Sequence, residues 1–135
     1  MIVGFKIVSK NKPQNYYVYV LRLRQEVWDK EVKFRKENKH YVRYPKKGEP
    51  KPCSYVGSTD SKGIKARVKE HLIGCRKPGI GKWHNRYVKK YFKHLQPKQY
   101  SKINPIISTS SDLVRKKEKE LAVKLRKKGW AVWQK

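Results

Sequence analysis

Positive charge runs along the whole of this chain, and that excess limits what it can fold into more than any other feature. Lysine and arginine number 36 against 10 aspartates and glutamates, a formal charge of +26 over 135 residues. Salt bridges cannot neutralise such an excess internally, so a compact state carries its own repulsion. A polyanionic partner offsets it, and nucleic acid fits best because each phosphate neutralised also releases condensed counterions. A membrane surface would ask for the charge on an amphipathic helix or beside an apolar anchor, and the sequence offers neither. No stretch approaches the roughly 20 apolar residues of a spanning helix. The opening MIVGFKIVSKNK is apolar but lacks a charged leading segment and a small-residue cleavage site. No signal peptide is read there, and a cytoplasmic or nucleoid-associated location is the expectation. The basic residues are not confined to a tail. One folded basic domain, residues 1–135, is therefore expected, with room for a modest core but not for two.

Cys53 and Cys75 lack CxxC spacing, and with His71 and His84 they match no known zinc-ligand pattern. They read as small buried or half-buried thiols.

The aromatic and β-branched run Tyr16 to Leu23 predicts a strand, and Cys53 to Gly57 a second, closed by turn-formers from Gly57 to Ser61. Residues 24–51, rich in Lys, Arg and Pro, read as an exposed basic insertion, in outline a hairpin. Ile64, Val68 and Leu72 recur every four residues and predict a helix over 61–72, with Gly74 at its cap. A second helix is expected from Trp83 to Leu95 on the stripe Val88, Phe92 and Leu95, stopped by Pro97. A short strand follows at 103–109. The last helix starts at a cap among Ser110, Ser111 and Asp112 and ends before Gly129, after which Trp130 to Trp133 is apolar enough to dock on the core. This order predicts a small α+β domain whose mostly antiparallel, three-stranded central sheet is flanked by helices.

Three groups of residues stand where packing alone would not put them. Glu118 falls inside the apolar stripe Val114, Leu121 and Leu125 of the last helix, where an unpartnered carboxylate is costly. It reads either as an edge position ion-paired to a neighbouring cation or as a metal-binding carboxylate facing a cleft; magnesium commonly takes one or two carboxylates and keeps several waters. Arg67 and His71, four residues apart, share a helix face. They are either solvated surface or a phosphate-binding guanidinium beside a proton-relaying imidazole. Tyr19 and Tyr55 sit inside strands and would pass, on pattern alone, for half-buried packing. A fourth group, Trp83, His84, Tyr87 and Tyr91 interleaved with Lys82, Arg86, Lys89 and Lys90, suits stacking and backbone contact with nucleic acid, as does Lys65 on the preceding helix.

Taken in order, these residues resemble the GIY-YIG nuclease domain. Its two tyrosine motifs correspond to Tyr17-Val18-Tyr19 and Tyr55-Val56-Gly57, its Arg-xxx-His helix to Arg67 and His71, and its metal-binding glutamate to Glu118 in EKELAVKL. The likeness covers residue 15 to the C-terminus. It departs from the family in the 35 positions between Tyr19 and Tyr55, usually a short hairpin, and at Gln134, where an asparagine often stands near the phosphate. What the resemblance implies is a metal-dependent DNA endonuclease with one Mg²⁺ or Mn²⁺ per site. Glu118 would hold the ion, Arg67 would offset charge on the phosphate, and Tyr19 would act as base, its phenolate favoured by nearby cations. Tyr55 and His71 would position and relay. The substrate would be double-stranded or branched DNA, and the protein a monomer or homodimer. A non-catalytic nucleic-acid binder, architectural or ribosome-associated, explains the charge equally well, as does a degenerate nuclease that only binds. The non-catalytic binder does not explain a glutamate within an apolar stripe.

Overall fold

The computed structural model describes residues 12–73 and 86–134. The two strands expected from their aromatic and β-branched content and flanking turn-formers form the centre of the sheet: β1, Gln14–Leu23, and β2, Cys53–Thr59. They pair antiparallel from Tyr17–Thr59 to Leu23–Cys53, which sets Gly57 directly across from Tyr19. Val18, Val20, Leu21, Cys53 and Val56 are fully buried, as expected of strands covered on both faces.

The sheet is larger than the three antiparallel strands expected. Among the described residues it has five, in the order β3-β1-β2-β5, with β4 also on β1. Phe92–Leu95, read from sequence as the end of a helix, is strand β3, and the preceding helix is confined to Arg86–Tyr91. The helical stripe fails because the edge of β1 at Leu21 to Leu23 takes these residues as its partner. β4, Ile106–Ser108, pairs with the start of β1. Between β3 and β4, the Asn104 side chain fills the gap, accepting from Val18 N at 2.9 Å and donating to Val18 O at 2.7 Å.

The final helix, Asp112–Lys127, buries Val114, Leu121, Ala122 and Leu125 on one stripe. Gly129 takes a φ of +91°, Gly129 N–H bonds Arg126 O, and Trp130 N–H bonds Leu125 O. That pair of contacts is a Schellman motif, which a side chain at Gly129 would strain. It turns the chain into β5, Ala131–Gln134, which runs parallel to β2 from Cys53–Ala131 to Val56–Gln134. The parallel pair makes the sheet mixed.

Residues 24–51 are not an exposed hairpin. They form two short helices, α1 (Glu26–Lys30) and α2 (Val32–Glu37), whose Val27 and Phe34 are fully buried, with Tyr41 nearly so. Phe34 meets Tyr87 edge-on at 6.1 Å, and Tyr87 meets Trp133 at 4.8 Å. Glu31, also buried, accepts from Tyr91 Oη at 2.6 Å. Asn38 locks the segment to the sheet: its amide donates to Val132 O (3.0 Å) and Phe34 O (2.8 Å) and accepts from Val132 N–H (2.7 Å). One asparagine thus stands in for a strand beside β5.

Replacing Asn38 with Ala leaves the buried Val132 N–H without its acceptor. An unpaired buried backbone group costs about 1–3 kcal/mol. The variant is expected to lose that much in urea unfolding while keeping its far-UV spectrum, and an unchanged midpoint would show that Asn38 contributes no such lock.

Candidate active site

With only a hydrogen at Gly57, the rings of Tyr19 and Tyr55 close over it. A Cβ built there would lie 2.6 Å from Tyr19 Oη and 2.8 Å from a Tyr55 ring carbon. The ring centres are 6.1 Å apart, and both tyrosines are buried.

Helix α3, Ile64–Ile73, lies against them. Its buried positions are Val68 and His71, whereas Leu72, expected in the core, is exposed. The helix has rotated its apolar stripe by one residue. A fully buried imidazole is tolerated there because His71 Nε2 lies 2.8 Å from Tyr19 Oη and its ring sits 5.7 Å from that of Tyr55. One turn earlier, Arg67 remains half-exposed and pairs with Glu70 at 3.4 Å, while Lys62 joins the same carboxylate at 3.3 Å. These pairs hold two cations at the rim.

The final helix, α5, forms the opposite wall. Ser111, Val114, Arg115 and Glu118, spaced at 0, 3, 4 and 7, turn one face inward. Glu118 is 8% exposed and accepts from Ser58 Oγ and, at 3.3 Å, from Gln134 Nε2. Among the described residues it makes no ion pair. The edge position neutralised by a neighbouring cation, one of the two readings open from sequence, is therefore absent. Gln134 reaches the carboxylate rather than the cleft.

Tyr19, Tyr55, Arg67 and Glu118 all line one cleft of about 480 Å³. It opens beside Gly57, Ser58 and Thr59, past the last described β2–β5 pair. His71 stands behind Tyr19. Asp60, Thr59, Lys62 and Arg115, none of them expected at the site, also line it. Arg115 was legible in principle, being three residues before Glu118 on the same face. Among the described residues, Thr59 Oγ1 is buried without a hydrogen-bond partner.

Electrostatics revise one expectation. Burial pushes the Tyr19 phenol well above its ordinary value of 10, Tyr55 adds to the rise, and the Arg67 guanidinium offsets only part of it. Burial likewise pushes Tyr55 up to about 12, with the Glu118 charge adding to it. Desolvation outweighs the cations, so the resting site holds a neutral phenol and not a phenolate.

Other residues expected at the site lie elsewhere. Lys65 is exposed on α3 away from the cleft lining. Arg86 and Lys90 flank Glu31 at 3.9 and 3.8 Å, and Lys89 is exposed nearby. Tyr87 and Tyr91 belong to the core and offer no free stacking face. Lys82, Trp83 and His84, with Gly74 and Cys75, fall outside the described residues. No described helix is long and apolar enough to cross a membrane.

The chain matches no protein-family model, no curated protein and no solved structure.

Among the described residues, no three His, Cys, Asp or Glu side chains cluster so as to hold a metal ion by themselves. Glu118 and Asp60 on the wall of a cleft this size instead suit a hydrated hard cation, which takes one or two carboxylates and fills its shell with water.

Gly57→Ala should force Tyr19 off His71. Overpacking of this kind costs about 1–3 kcal/mol. The expected result is that loss in denaturant unfolding with a shifted His71 imidazole resonance. A variant as stable as the parent with an unshifted resonance would contradict the close approach.

Proposed function

We propose that the protein is a metal-dependent DNA endonuclease with a GIY-YIG-type site. The observation that carries this reading is the meeting of Tyr19, Tyr55, Arg67 and an ion-pair-free Glu118 in one cleft of a chain with a charge of +26. Together the four suit hydrolysis of a phosphodiester.

Glu118 would hold Mg²⁺ or Mn²⁺, its carboxylate oriented by Ser58 and Gln134. When bound, the ion supplies charge at the scissile phosphate and stabilises the departing 3′ oxygen. Arg67, Arg115 and Lys62 bring three cations to the same cleft, where they attract the backbone and offset charge that grows as water attacks phosphorus and the P–O3′ bond breaks.

A neutral Tyr19 cannot act as a simple base, yet it can relay. The attacking water would give its proton to Tyr19 Oη as the phenolic proton passes to His71 Nε2, 2.8 Å away. The pair then works as one unit.

Two measurements test this. Glu118→Ala should abolish Mg²⁺-dependent nicking of plasmid DNA while leaving DNA affinity in EDTA within about threefold, since lysines and arginines, not a carboxylate, neutralise the phosphates. Full cutting by that variant would remove Glu118 from the mechanism. Tyr19→Phe and His71→Ala should each slow cleavage about 100-fold or more, and the double variant no further, because removing either member stops the relay. Multiplying losses in the double variant would mean that the two side chains act separately.

A further inference from the structure

An exposed tyrosine far from the cleft is held as if for use. Tyr44 is 75% exposed, the most open of the large apolar and aromatic side chains described. Exposed rings on ordinary surfaces turn freely, but this one is fixed from several sides. The Arg43 guanidinium lies 4.6 Å from its ring centre. Arg43 is itself clamped by Asp29 through two hydrogen bonds of 3.1 Å, Nε to Oδ1 and Nη2 to Oδ2. The Tyr44 hydroxyl reaches the same carboxylate at 3.4 Å. Asp29 is anchored in turn, because Arg35 Nη1 donates to the Trp28 and Asp29 carbonyls that end α1. Pro45 follows directly and restricts the Tyr44 backbone to extended conformations.

The outcome is a Tyr44 ring held against the Arg43 guanidinium and largely open to solvent, at a small entropic cost for any ligand that lands on it. Lys39, Arg43, Lys46, Lys47 and Lys51 lie within the same 39–51 stretch, against Glu49, while Asp29 pairs with Arg43. An exposed ring in a cation-rich segment fits a nucleobase whose phosphates meet the lysines. In paired DNA the base faces are covered by their neighbours, so the partner must present an unstacked base.

We propose that Arg43 and Tyr44 form a platform for an unpaired base, so that the preferred substrate is DNA with a single-stranded segment, such as a fork or flap. This rests on the nucleic-acid reading above and narrows it. The platform belongs to the segment joining Leu23 to Cys53, and neither of its two residues lines the cleft.

Affinity measured by fluorescence anisotropy in EDTA tests the platform without any cleavage. The probes are a forked DNA with single-stranded arms and a blunt duplex of the same length. Tyr44→Ala should weaken binding to the fork about tenfold or more, the usual effect of losing one stacked base. Binding to the duplex should change less than twofold, and Tyr44→Trp should keep the fork affinity. Equal weakening on both probes, no weakening on either, or a Trp variant as poor as Ala would overturn the proposal. Uncut DNA in Mg²⁺ alongside a fork-selective Tyr44 effect would instead count against the nuclease chemistry and leave the platform standing.

Discussion

Everything in the cleft depends on one missing side chain. Gly57 stands across from Tyr19 in the central pair of strands, and its bare Cα lets two tyrosine rings and a buried imidazole occupy a space that any Cβ would enter. From that approach follow the Tyr19–His71 hydrogen bond, the rotation of α3 that buries His71 in place of Leu72, and the position of Arg67 one turn earlier at the rim. Close packing also settles the protonation of the site. Rings this well desolvated stay neutral even beside guanidinium groups, so a chain with 26 excess positive charges still keeps its central phenols uncharged.

Acidic residues are scarce here, and the structure spends them on order. Asp29 fixes Arg43, Glu31 sits between Tyr91 and two cations, and Glu70 gathers Lys62 and Arg67. Each draws cations toward it and so shapes where the remaining positive field points. Glu118 differs by being held through neutral donors, Ser58 and Gln134, which leaves its charge available to whatever enters the cleft.

Long signals were legible in the sequence. The aromatic and β-branched run Tyr16 to Leu23, the stripe of the last helix with its break at Glu118, and the terminator at Gly129 all correspond to observed elements. What escaped was short or relational. Helices of five and six residues carry too few turns to show a period, so 24–51 reads from sequence as an exposed insertion in the outline of a hairpin. β3 has four residues and gains its identity from the edge of β1, not from its own pattern. His71 became a core residue through a partner 52 positions away, and Asn38 and Asn104 became strand substitutes through carbonyls more than 80 positions distant. Arg115 gave a local signal, its spacing from Glu118, but one charge among 36 is hard to single out.

The lock at Asn38 bears on how such a domain could be rebuilt. Seen as a string of letters, residues 24–51 invite excision, since a short turn would suffice to join Leu23 to Cys53. In the folded chain that segment supplies Phe34 to the core and closes the open side of β5. A minimised version would expose an apolar wall and a naked strand edge together, the combination that drives chains to polymerise. Far from being removable cargo, the segment is a boundary of the fold, and any transplant of the cleft onto a smaller scaffold would have to bring that boundary with it.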